Sequence, residues 1–242
     1  MNPTLKQLAD RKSVRIFTDR PIGAEEKTAI LRAASDAPTA GCQQLYTILD
    51  ITEQELKAQL AESCDHQSFI AKAPLVLIFC ADAQKWYDAY LLAGSEPRQP
   101  GEGDFLLAVD DALLAAQNAV TAAWSLGIGS CYIGDIMEYC ELHRELLHLP
   151  EYVFPAAMLI FGYPTDQQMC RPKPERCDAD IIIHENAYRR LSEIELKRMV
   201  EKNCSEEDFP EWTQAFCARK YNSGFAREMT RSIHEYLRVY QK

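Results

Sequence analysis

Arg11-Lys12-Ser13-Val14-Arg15 sets three cations around one small hydroxyl, in a 242-residue chain whose formal net charge is -10. The local reversal of sign leaves two readings, a solvated basic turn or a place where an anion is held. Just before it, Asn2 supplies an N-cap and Pro3 a first helical residue, with Leu5 and Leu8 on one face, so a short helix leads into the cations. Just after it, a second helix is predicted from Ala24 to Asp36, with Ile30, Leu31 and Ala34 inward and Pro38 as its stop.

Further out, Pro38 to Gln44 has the small and polar residues of a loop, either a plain turn or a close backbone approach to a ligand. Leu45 to Thr52 reads as a strand, Glu53 to Ser63 as a helix with Leu56 and Leu60 inward, and Leu75 to Cys80 as a strand buried on both faces. Gly94 to Asp104, rich in glycine and proline, reads as a lid-like loop. Phe105 to Leu126 carries alanines and leucines around its whole circumference and is predicted to be a central buried helix. Ser130 to Gly134 reads as a short extended segment, Tyr139 to Leu147 as a helix, and Phe154 to Phe161 as another apolar strand. A second basic cluster follows at Arg171-Pro172-Lys173-Pro174, where the prolines hold the backbone extended. Residues 191–242 are predicted to be a helical extension without a core of its own, broken at Pro210 and Gly224.

The acidic balance argues against nucleic-acid binding, which needs a broad basic face. No apolar stretch approaches the roughly 18 residues of a membrane span, and a cytoplasmic protein is expected. The nine cysteines include no C-x-x-C pair and no histidine at ligand spacing, so reduced thiols are expected and a metal site is not.

Four segments together resemble the nitroreductase family: Arg11 to Phe17, Pro38 to Gln44, Gly127 to Gly134, and Arg171-Pro172-Lys173, in the family's order and spacing. The resemblance implies an α+β fold with a central, mostly antiparallel sheet flanked by helices, and a homodimer in which the long central helix is buried. Residues 1–190 would form the FMN-binding domain, and 191–242 would pack on the body or on the partner subunit. It further implies one FMN in each of two interfacial sites. Arg11, Ser13 and Arg15 would contact the phosphate, ribityl chain and ring edge, with Lys12 nearby, while Arg171 and Lys173 grip the phosphate. Thr39 and Gln44 would reach in from the neighbouring subunit. Tyr132, Ile133 and Gly134 would lie along the ring, and Gln67 occupies a position where the larger NADPH-preferring branch of the family uses glutamine to meet the flavin.

By the same resemblance the activity is that of an FMN-dependent oxidoreductase, taking hydride from NADPH or NADH and passing electrons to nitroaromatics, quinones or similar flat aromatic acceptors. The chemistry would reside on the flavin, and no side chain is expected to be catalytic. A flavin-storage or regulatory module, or a specialised relative that removes halogens or remodels the flavin, are the alternatives. Two positions depart from the family pattern: Cys42 stands where asparagine is common, and the late pair, commonly lysine then arginine, is reversed.

Overall fold

Leu75–Asp82, the uninterrupted apolar run, is a strand buried at every residue. It is the second of four in one sheet: β1 (Tyr46–Asp50), β2 (Leu75–Asp82), β3 (Gly129–Ile133) and β4 (Val153–Gly162), ordered β1-β2-β4-β3 with every neighbouring pair antiparallel. These are the strands of a computed structural model that describes residues 2–241. The expected antiparallel sheet flanked by helices is therefore present.

Twelve helices of the α type are present among the described residues. They are α1 (Pro3–Asp10), α2 (Ala24–Ser35), α3 (Gln54–Ser63), α4 (Phe69–Lys72), α5 (Gln84–Leu92), α6 (Glu102–Ser125), α7 (Cys140–Leu146), α8 (Asp166–Cys170), α9 (Ala179–Ile182), α10 (Glu193–Val200), α11 (Phe209–Lys220) and α12 (Gly224–Leu237). The Asn2 side chain accepts from the Leu5 N–H at 2.9 Å, the cap expected for α1.

Alternation along the central strands separates two cores. Leu77 and Phe79 of β2 join Ile30 and Ala34 of α2 and Ala112, Ala116 and Ala119 of α6 on one face. Val76, Ile78 and Cys80 join Leu60, Ile70, Cys131 and Ile133 on the other. The alanines let α6 lie close to the sheet. Leu106, Leu107, Leu113 and Leu114 instead face outward, so within one chain α6 is buried on one side rather than around its circumference. On length and composition α6 could also cross a membrane, which the charge-interrupted sequence had not suggested. Here its alanine side is core.

Beyond Asp82, where no element was predicted, the chain forms α5, in which Trp86 and Tyr90 pack together with ring centroids 5.6 Å apart. Pro210 sits in the first turn of α11 and starts that helix instead of breaking a longer one, because the missing N–H is unneeded there.

Contacts divide the chain into Met1–Arg171 with Glu228–Lys242, and Pro172–Arg227. In the first unit Tyr236 and Tyr240 enter the core, Tyr236 meeting Phe154 edge-on at 4.9 Å between centroids. That burial draws the end of the chain into the body, whereas the sequence placed a boundary near residue 190. The second unit holds α9, α10 and α11, where Ser192 and Glu195 cap α10 reciprocally and Trp212 stacks on Phe216.

Candidate functional site

β3 is an edge strand, and the cationic stretch occupies its open side. Ser13 bridges Ser130 in parallel, and the Val14 N–H donates to the Ser130 carbonyl at 2.9 Å. Glycine makes the approach possible: a Cβ on Gly129 would lie 2.7 Å from the Val14 Cβ, and one on Gly162 would lie 2.5 Å from the Phe17 ring. Val14 and Phe17 therefore anchor the stretch inward, leaving Arg15 exposed between them.

The second cluster arrives through α8, which Thr165 caps and which ends just before Arg171. Arg171 donates from Nη2 to the Ser13 carbonyl at 3.0 Å. Lys12 donates from Nζ to the Met169 carbonyl at 2.6 Å and also to that of Arg171, a cation closing the end of a helix. Arg11, Lys12, Ser13, Arg15 and Arg171 are thus brought together, with Lys12 tying the segments to each other. Lys173 belongs to the second compact unit.

Burial dominates the electrostatics along β3. It raises the Cys131 thiol although Arg15, Ser13 and Arg11 oppose the shift, and it pushes the Tyr132 phenol up to about 12 against the nearby Arg11. The Tyr132 hydroxyl donates to Gln117 of α6 at 3.4 Å. Ile133 sends its side chain into the second core, so only its backbone can meet a ligand; Gly134 is exposed, and a Cβ there would meet only Met137 Cε, at 3.8 Å. Gln67 joins this end of the strand through a 3.0 Å hydrogen bond to Asp135.

Thr39 and Gln44 are held on another part of α6. Buried Asp111 accepts from the Thr39 hydroxyl and from the Ala40 and Leu45 N–H groups at 3.0 Å each, while Thr39 accepts from the Gln44 N–H at 2.7 Å. At 100° per residue, Asp111 and Gln117 point roughly 120° apart around α6. One chain therefore does not gather the Thr39 loop with the Arg11 cluster. Asp111 was missed in the sequence, where an acid inside an alanine-rich helix looks like a surface charge.

A second group missed is Glu138. It is 4% exposed, its Oε1 has no hydrogen-bond partner, and burial followed by Asp135, Asp65 and Glu228 pushes its carboxyl up to about 7. A carboxyl that is a weaker acid folded than unfolded stabilises fully at low pH and loses that contribution as pH rises through its folded value. Melting temperature should fall between about pH 4.5 and 7 in the wild type and level off above that, by the equivalent of about 1–3 kcal/mol. Glu138→Gln should flatten that fall; an unchanged slope would exclude Glu138 as its source.

Two cavities flank these elements. One of about 1050 Å³ is lined by Arg15, Phe17, Ser68, Phe69, Lys72, Gln168 and Arg171 among others. The other, about 310 Å³, is walled by Trp86, Tyr87 and Tyr90 and by Pro97, Arg98 and Pro100 of the 94–101 loop. Arg98 is paired with Asp104 at 2.5 Å.

A sequence model of the Nitroreductase family matches residues 8–163, more than half the chain and including the cationic stretch, β3 and the whole sheet. The chain belongs to the nitroreductase family. Among nitroreductase-family relatives, it is 35% identical over 202 residues to an oxygen-insensitive NADPH nitroreductase of Salmonella typhimurium, covering 84% of this chain and 81% of the relative. It is 29% identical over 238 residues to an FMN reductase [NAD(P)H] of Bacillus subtilis, covering 98% and 91%. The solved structure of B. megaterium NfrA2 superposes with a TM-score of 0.85 at 28% identity over 98% of both chains.

Proposed function

We propose that this chain is an FMN-dependent oxidoreductase that takes hydride from NAD(P)H and reduces nitroaromatics, quinones or similar flat acceptors in a ping-pong cycle. The observation that carries the reading is the convergence of the Arg11–Arg15 stretch and Arg171 on the edge strand β3, where Ser13 bridges Ser130. Relatives named as NADPH nitroreductase and FMN reductase support it.

The residues fit a planar cofactor carrying a phosphate. Arg11, Arg15 and Arg171 surround Ser13 with guanidinium groups suited to a phosphate. Uncrowded Gly134 and exposed Tyr132 leave a backbone edge and a phenol face open beside them. When bound, FMN supplies the hydride-accepting and hydride-donating ring. The chain's part is to neutralise the phosphate with Arg11, Arg171 and Lys173, to orient the ring edge with Arg15 and Gln67, and to offer backbone along Tyr132, Ile133 and Gly134. We propose no catalytic side chain.

A homodimer completes the site in this reading. Leu106, Leu107, Leu113 and Leu114 form an outward apolar row on α6, the type of surface a second copy covers. The Thr39–Gln44 loop, anchored on a different side of α6 from Tyr132, would then serve the partner's flavin. The end of the chain from Glu228 is counted with the FMN-binding body, and a cytoplasmic location accords with nine free thiols.

Initial rates test the cycle. With NADPH and a naphthoquinone varied together, parallel double-reciprocal lines are expected. No quinone-dependent NADPH consumption by FMN-loaded protein would favour a flavin-binding module instead.

A further inference from the structure

Among the candidate contacts, the amide orientation of Gln67 is dictated by its neighbours. Its Nε2 donates to the Cys64 carbonyl at 2.7 Å and to Oδ2 of Asp135 at 3.0 Å. A carbonyl and a carboxylate are acceptors, so a flipped amide would set its oxygen against two oxygens. Both amide N–H bonds are therefore committed within the chain, and Oε1 is the group left for a ligand. The loop is also fixed by its backbone: Asp65 and His66 hold left-handed φ values of 60° and 53°, and the Gln67 N–H donates to the Ala61 carbonyl at 2.8 Å.

Asp135 directly follows Gly134 in the 3-10 turn Gly134–Met137. That turn is itself closed by the Glu138 N–H donating to the Asp135 carbonyl at 3.0 Å. One residue thus joins the Gln67 loop to the end of β3, where the chain offers its open backbone edge.

We propose that Asp135 is a positioning residue that locks Gln67 as a hydrogen-bond acceptor, so that this corner of the site selects a heteroaromatic ring edge bearing an N–H. The inference rests on the FMN reading for its ligand, since the oxidised flavin ring carries one N–H, flanked by two carbonyls. The lock is a property of the chain alone. It predicts that a flavin methylated at that nitrogen binds poorly, because the acceptor would face a methyl group.

The test uses apoprotein with 15N-labelled glutamine, then titration with FMN and with 3-methyl-FMN. In the wild type the Gln67 side-chain amide protons should exchange slowly, and FMN should bind more tightly than 3-methyl-FMN. Asp135→Ala should speed that exchange, weaken FMN about tenfold, the worth of one hydrogen bond, and erase most of the discrimination. Asp135→Asn, whose Oδ1 still accepts, should stay within about threefold of wild type. Wild-type exchange and wild-type affinities in Asp135→Ala would overturn the proposal. Slow wild-type exchange with no FMN binding would instead refute the cofactor reading and leave the lock standing. If Asp135→Ala does not fold, Gln67→Glu serves: a carboxylate cannot donate to either partner, so it should bind FMN more weakly than Gln67→Met, and equal losses would overturn the lock.

Discussion

Replacing Arg171 and Lys173 together by alanine is expected to give a protein that loses its FMN on dialysis while keeping its fold. Charge-assisted hydrogen bonds contribute roughly 1.5–3 kcal/mol each, so losing two raises the FMN dissociation constant by about 10² to 10⁴. The Arg171 guanidinium is exposed and bonded to the Ser13 carbonyl, so its removal also loosens the second segment from the first. Lysine at 171 should recover part of the affinity, since the charge returns without the planar fork. Absorbance after dialysis, normalised to protein, reads the result. Flavin content equal to wild type would exclude the pair from the phosphate site.

Asp111→Ala is expected to have the largest effect on stability of any single change discussed. The carboxylate is 2% exposed and accepts from the Thr39 hydroxyl, the Ala40 N–H and the Leu45 N–H. Truncation leaves buried donors without partners and opens a void beside α6, together on the order of 3 kcal/mol or more. The midpoint of urea unfolding should fall accordingly, and hydrogen exchange should quicken first across residues 39–45. Asp111→Asn keeps the volume but turns an amide N–H toward one of the donors, so its loss should be intermediate. A full-strength midpoint in Asp111→Ala would mean that the loop is held by other contacts.

The two changes also mark what could be read from sequence. Arg11 to Arg15 and Arg171 were legible because cations grouped around a hydroxyl in an acidic chain need a reason, and Leu75 to Cys80 was legible because an apolar run that short, opened by Pro74, fits a strand covered on both faces. Asp111 and Glu138 were not, since one acid among alanines, or at the edge of a turn, carries no mark of burial until tertiary packing surrounds it. Nor was the outward row of Leu106, Leu107, Leu113 and Leu114 separable from the alanine row, because a helix apolar on all sides has no periodicity to show which side meets the sheet.

Ile133 is a related case. The segment around it was identified, but alternation along β3 turns its side chain into the core and leaves its backbone for a ligand. Cys42 falls in a loop where Gly41, Cys42 and Gln44 all take left-handed φ, 56°, 57° and 50°. Asparagine tolerates that region better than cysteine does, which gives a backbone reason, besides any cofactor contact, for an asparagine there.

The central claim is that this fold holds FMN and loads it with hydride from a nicotinamide. Anaerobic titration of the FMN-reconstituted wild-type protein with NADPH, and separately with NADH, followed by visible absorbance, tests it most directly. The expected result is a yellow protein whose flavin absorbance bleaches in proportion to added reductant and returns when a quinone is admitted. A protein that stays colourless after incubation with FMN, or a bound flavin that neither nicotinamide bleaches, would contradict it.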